Sequence, residues 1–178
     1  MPDPSENGFT AAIKALNEVV TPAVDRTNSL AVEQLRLVEM FLEFYRSTRD
    51  LSRKLDWTEL NLNFELGQTV CACFQSTDPM IKNLNAILLL ASSDLKMTGL
   101  PAVKWRDHTQ NIQEAVSQLL RSSADQNIEI FEILSPKVLE KFGEILALKR
   151  SWFLSFGFEA KPNALPSLNQ LFEGCPDI

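Results

Sequence analysis

Apolar residues recur at intervals of three and four along almost the whole chain, which is the period of an amphipathic helix. Phe9, Ile13, Leu16 and Val20 predict a short first helix, which Thr21-Pro22 ends or kinks. The longest periodic stretch follows, over about 23–54. Leu30, Leu37, Phe41, Phe44 and Leu51 form one stripe, widened by Val38 and Tyr45, with Arg36, Glu39, Glu43, Arg46, Asp50 and Arg53 opposite. Asp78-Pro79 predicts a helix start, because an N-cap carboxylate satisfies an orphan amide and a proline at the first position loses no bond the helix needs. That helix runs to about Leu95 and is apolar on more than one side, so it reads as central. Ser135-Pro136 repeats the signal and predicts a restart or kink.

Pro101 opens a further helix to about Ser123, with Trp105, Ile112, Val116 and Leu119 on its stripe. Residues 125–134 continue helical, as part of the same element or a short one beside it. The last long helix carries Val138, Phe142, Ile145, Trp152 and Phe156 on one stripe, flanked by Leu139, Leu146 and Phe153; Gly157 suits the position after its end.

One stretch is ambiguous. Leu60, Leu62, Phe64 and Leu66 alternate with polar residues, and Gly67-Gln68 could turn a β-hairpin over 60–74. The same residues also pass the helical test, with most polar ones on one arc and Asn63 the exception. No other segment supplies strands, and an isolated hairpin is marginal. The helix is the preferred reading, with Asp56 and Glu59 as a capping-box-like start and Gly67 a weak point of up to ~1 kcal/mol relative to alanine.

The expected fold is all-α: an antiparallel bundle of about five to six helices. Residues 1–8 read as a flexible tail, 9–158 as a single helical domain and 159–178 as a C-terminal tail packing on it. The chain of 178 residues suits one domain with a core of its own. Its formal charge of −6 argues against a broad nucleic-acid footprint or an anionic membrane surface. No apolar run approaches the ~18 residues of a membrane span; the longest is Ala86–Ala91. Three cysteines and a polar start point to a reducing, cytoplasmic setting.

Candidate chemistry is sparse. His108 is the only histidine and lies on the apolar stripe of its helix. It reads as an edge-of-core residue, or with Trp105 as the mouth of an apolar ligand cavity. Asp107 beside it points about 100° away and is no natural orienting partner. One histidine cannot build a ferritin-like dimetal site. Cys71-x-Cys73 has the wrong spacing for a structural zinc site, and neither a phosphate-cradling loop nor a dinucleotide fingerprint is present. No cofactor or metal is expected, and no catalytic residue is nominated.

The segment Trp152–Phe158 is the most distinctive local feature, because no single helix face hides Trp152, Phe153, Leu154 and Phe158 together. Either the C-terminal tail covers it, or Trp152, Phe153, Phe156 and Phe158 form an interface, where large aromatics dominate the energy. The functional expectation is a non-enzymatic helical interaction module (an adaptor, chaperone, immunity-type or assembly subunit). Its partner is another protein or a second copy of itself, engaged through an apolar helix face. The alternative is a small-molecule-binding helical domain with its cavity near Trp105 and His108. A minimal enzyme site around Arg106, Asp107 and His108 ranks last.

Overall fold

A computed structural model describes residues 4–74, 78–157 and 159–178, the side chain of Pro4 excepted. The protein is all-α, and no strand occurs among the described residues. The long helices are α1 (Pro4–Ala15), α3 (Ser29–Thr48), α4 (Ser52–Cys71), α5 (Pro79–Leu95), α6 (Ala102–Gln126) and α7 (Ile128–Trp152), with short α2 (Thr21–Ala23) and α8 (Leu168–Leu171). The chain divides into two units. One comprises residues up to Ser52 with 155–158, and the other comprises 53–154 with 159–178.

In the first unit, α1 begins at Pro4, before the onset expected at Phe9. The helix also reaches past Pro22. Proline lacks an amide to donate, and the chain accommodates it by widening the preceding turn. Leu16–Val20 is π-helical, and both the amide and the hydroxyl of Thr21 donate to the Leu16 carbonyl. An Asx turn at Asp25, which accepts from the Thr27 amide and hydroxyl, leads to Asn28. The Asn28 side chain caps α3 by accepting from the Ala31 amide at 3.1 Å. This unit's core is thin. Phe44 is buried against Phe156, ring centroids 4.6 Å apart, with Phe41 against the same ring; Thr48 is buried as well.

In the second unit, α4 starts at Ser52, so Asp56 and Glu59 lie inside the helix and not at its start. Residues 60–71 are helical, and the hairpin alternative is excluded over them. Gly67 is no weak point: it is buried, and a Cβ there would lie 2.7 Å from Leu88 Cδ2 and 3.4 Å from Ile112 Cγ2. Its missing side chain is what lets α4 approach α5 and α6 closely. Asn63 is fully buried; its Nδ2 donates to the Glu59 carbonyl, and its Oδ1 has no hydrogen-bond partner among the described residues.

Asp78-Pro79 opens α5 as expected, with the Asp78 carboxylate accepting from the Met80 amide at 2.7 Å. Ser135-Pro136 does not open a helix. Pro136 sits within α7, which starts at Ile128 under an Asn127 cap accepting from the Ile130 amide. Asn127 also ends α6, so 125–134 is divided there. Burial of Leu134 and Val138 on either side of Pro136 holds the helix together against a proline cost of ~3 kcal/mol. The core joins Leu60, Leu66 and Val70 with Ile81, Leu84 and Leu88, Trp105, Ile112, Val116 and Leu119, and Leu134, Val138 and Ile145. It is a four-helix core of α4 to α7. Ser167 and Gln170 form a capping box on α8, which packs against α7, and Ser151 Oγ donates to the Pro166 carbonyl.

Candidate functional site

Trp105 and His108 come together, at the C-terminus of α5. The last carbonyls of a helix lack intrahelical partners. Here the Asp94 carbonyl accepts from Trp105 Nε1 at 3.3 Å and the Leu95 carbonyl from Trp57 Nε1 at 3.0 Å. Arg53 donates to the Thr98 and Leu100 carbonyls of the following turn, its guanidinium 5.0 Å from the centre of the Trp105 ring. Its positive charge also suits a helix C-terminus. His108 Nε2 lies 2.8 Å from the Asp94 carboxylate; an oxygen anion there can only accept, so Nε2 carries the proton between them. Trp105 is fully buried. The sequence reads His108 as an edge-of-core residue or, with Trp105, as the mouth of a cavity; the structure places both in the clamp that fixes the α5–α6 connection.

A polar cleft of about 360 Å³ lies beside that clamp, lined by Asp56, Glu59, Arg106, Thr109, Gln110 and Gln113. Burial pushes the Asp56 carboxyl above its ordinary range, opposed by Arg106 and reinforced by Glu59. Both carboxylates are already engaged, Asp56 with Arg106 at 3.0 Å and Glu59 with Lys149 at 2.7 Å. Among the described residues no three His, Cys, Asp or Glu side chains converge as a metal site. Burial raises the Cys71 and Cys175 thiols, which keeps them protonated at neutral pH.

The aromatic end of α7 is divided. Trp152 and Phe156 are buried, Phe153 is exposed, and Phe158 lies outside the described residues. Trp152 belongs to the core side of α7, whereas Phe156 belongs to the first unit with Phe41 and Phe44.

The larger apolar surface lies further back along the same helix. Leu134, Val138, Ile145, Leu148 and Trp152 are buried. With Lys141 they make a seam spaced four and three alternately. One residue on, a second seam of the same spacing runs through Ser135, Leu139, Phe142, Leu146, Lys149 and Phe153. On this second seam Leu139, Phe142, Leu146 and Phe153 are 71%, 50%, 47% and 52% exposed. Adjacent positions on a helix differ by about 100°, so the two seams face different directions. Beside the outer seam, Leu120, Arg121 and Ala124 of α6 and Phe131, Ser135, Val138 and Leu139 of α7 line a groove of about 380 Å³, its walls almost wholly apolar.

The sequence places Phe142 on the core stripe with Leu139 and Leu146 as its flanks; the structure puts all three outside. The two seams are both apolar enough to face a core. The one discriminating signal in the sequence is polarity: the outer seam carries Ser135 and Lys149, the inner one Lys141 alone.

No protein-family model matches the chain, and neither a curated protein nor a solved structure is significantly similar to it.

Proposed function

We propose that this protein is a non-enzymatic helical interaction module that engages a protein partner through the outer face of α7. The observation that carries this reading is the heptad-spaced seam of Leu139, Phe142, Leu146 and Phe153, which is exposed on the folded chain. Seams of this spacing are what helices use to pack against helices. Contiguous exposed apolar surface of this kind marks interaction sites, whereas scattered apolar residues need no explanation. The groove beside Leu139 extends the same surface onto α6.

The polar groups that would suit catalysis support this reading by what they already do. His108 and Trp105 hold the end of α5, and Asp56 and Glu59 hold Arg106 and Lys149. Among the described residues no helix is long and apolar enough to cross a membrane.

The test is site-specific photo-crosslinking in the native cell. A photoreactive residue at Leu139 or Leu146 is expected to capture a discrete protein adduct, while one at Gln118, on an exposed polar stretch of α6, captures none. Equal, diffuse labelling at all three positions would refute the reading.

A further inference from the structure

Gly67 and Gly143 pose one question with two answers. Glycine inside a helix costs up to ~1 kcal/mol relative to alanine. At Gly67 the close approach of Leu88 and Ile112 accounts for it. At Gly143, in the middle of α7, an added Cβ would meet nothing within 4 Å. Nothing within the described chain calls for a glycine there. It lies beside Phe142, at the midpoint of the exposed seam.

Resting on the interaction reading above, we propose that the partner on this seam is a second copy of the chain, its α7 running antiparallel about a two-fold axis at Phe142–Gly143. A two-fold interface must be self-complementary: if residue i meets j, then j meets i. Three features of α7 meet that demand about this one point. Phe142 lies beside Phe142 of the other copy on one edge of the contact, and Gly143 beside Gly143 on the other edge, where two bare backbones can approach. Leu139 lies opposite Leu146. Phe153 falls opposite residues 131–135, where the apolar groove between α6 and α7 opens, and that groove is large enough for a benzyl side chain.

Charge selects the antiparallel direction. Along the seam and its Gly143 flank, the first half of α7 carries exposed Glu132, with Glu129 one turn before it, and the second half carries exposed Arg150. Lys137 points elsewhere, toward the Cys73 sulfur, Lys141 is held by Glu65 and Glu144, and Lys149 by Glu59. Antiparallel copies set each acidic half against a basic one, and parallel copies set like against like. Arg150 engages Glu159 through Nε and Nη2, which leaves the Nη1 edge for a second carboxylate. In this register Arg150 lies opposite Ser135, one helical turn from Glu132 of the other copy.

The four seam side chains offer about 400 Å² per copy, taking roughly 100 Å² for each half-exposed one. That is about half of the ~800 Å² per partner of a standard interface, so the dimer is a weak one.

Sedimentation equilibrium of the full chain from about 1 to 400 µM tests this. The wild type is expected to pass from monomer to dimer within that range. Gly143→Gln and, separately, Leu139→Glu should each weaken association at least about tenfold. Both positions are exposed, and wild-type helicity and urea unfolding of dilute protein will verify that each variant folds. Glu132→Arg should weaken the dimer and the added Arg150→Glu should restore part of the loss. A wild type that stays monomeric, or a dimer indifferent to both single variants, overturns the proposal. A monomer whose α7 still photo-crosslinks to a different protein overturns self-pairing and leaves the interaction reading standing; a monomer with no specific adduct overturns both.

Discussion

Replacing glycine by alanine at positions 67 and 143 makes the same chemical change in two helix interiors, and the structure requires opposite results. Each substitution removes about 0.5–1 kcal/mol of backbone entropy cost. At Gly143 the new methyl meets open space, so the whole gain survives and stability rises by about that amount. At Gly67 the methyl would sit 2.7 Å from Leu88 Cδ2 and 3.3 Å from its Cδ1, with Ile112 Cγ2 at 3.4 Å. Leu88 must rotate or the helices must part, inside a core that already holds Leu84, Leu88 and Ile112 almost fully buried. Overpacking of this kind costs about 1–3 kcal/mol, which exceeds the gain and leaves Gly67→Ala neutral to ~2 kcal/mol destabilised. The two variants should therefore differ by about 1–3 kcal/mol, or several degrees in Tm. Urea unfolding followed by tryptophan fluorescence is the assay. Trp57, Trp105 and Trp152 all lie in the same unit as both glycines, so the signal reports that unit alone. Protein at about 1 µM keeps any self-association out of the measurement. Equal stabilisation by both alanines would mean that α4 does not approach α5 and α6 as described.

Three further outcomes follow from other parts of the chain. Asn63→Leu, which replaces a fully buried amide whose Oδ1 lacks a partner among the described residues by an apolar side chain of similar size, should raise urea-unfolding stability by about 1 kcal/mol; a loss of stability would show that the amide is satisfied. Asp56 has its folded-state pKa raised, chiefly by burial, so in the folded chain it binds a proton more readily than in the unfolded one. Its carboxylate therefore costs stability at neutral pH, and that cost disappears as pH falls through the raised value toward the ordinary 3.8. Asp56→Asn should accordingly compare best with the wild type at pH 7 and lose ground toward about pH 3.5, a trend that parallel urea titrations will read; a comparison independent of pH would refute it. Hydrogen exchange should separate the units, since among the described residues of the first only Phe44, Thr48 and Phe156 are buried. Amides of α1 and α3 should open at least ~2 kcal/mol more easily than those of α5 and α6, and uniform protection would contradict this.

Most of the helical content was legible from sequence, because apolar periodicity and burial are the same fact seen twice. What escaped was decided by tertiary packing. Asp78-Pro79 and Ser135-Pro136 are the same local signal. The first works as a helix start because Asp78 has extended backbone and its carboxylate is available to the Met80 amide. Before Ser135 stands a helix already capped by Asn127, and burial of Leu134, Val138 and Ile145 carries it through the proline. Asp56 and Glu59 failed as a start for a similar reason. The Ser47 and Thr48 hydroxyls both turn back on the Phe44 carbonyl, a tight turn follows at Arg49–Leu51, and α4 is under way by Ser52.

The site posed a harder problem than the fold, and α7 shows why. A stripe with 3–4 spacing tells that a helix has something to bury, without telling whether the chain itself or another chain buries it. α7 has two such stripes one residue apart. A single wide core face would place both against the same neighbours, and the sequence reads that way, with Phe142 beside Val138 and Ile145. In the folded chain only one of the two is buried, because a neighbouring helix covers an arc and the stripes are about 100° apart. The core of α7 is complete with Leu134, Val138, Ile145, Leu148 and Trp152, which leaves Leu139, Phe142 and Leu146 as apolar surface outside it. Side chains that the core does not require, on a helix whose central glycine the core does not require either, are those on which an association would act. Substitution there separates folding from association. Ile145 and its neighbours are untouched when Leu139 becomes glutamate, so no core contact is lost and the change falls on association. A replacement at Gly143 adds to this only the helix-propensity gain that dilute protein already measures.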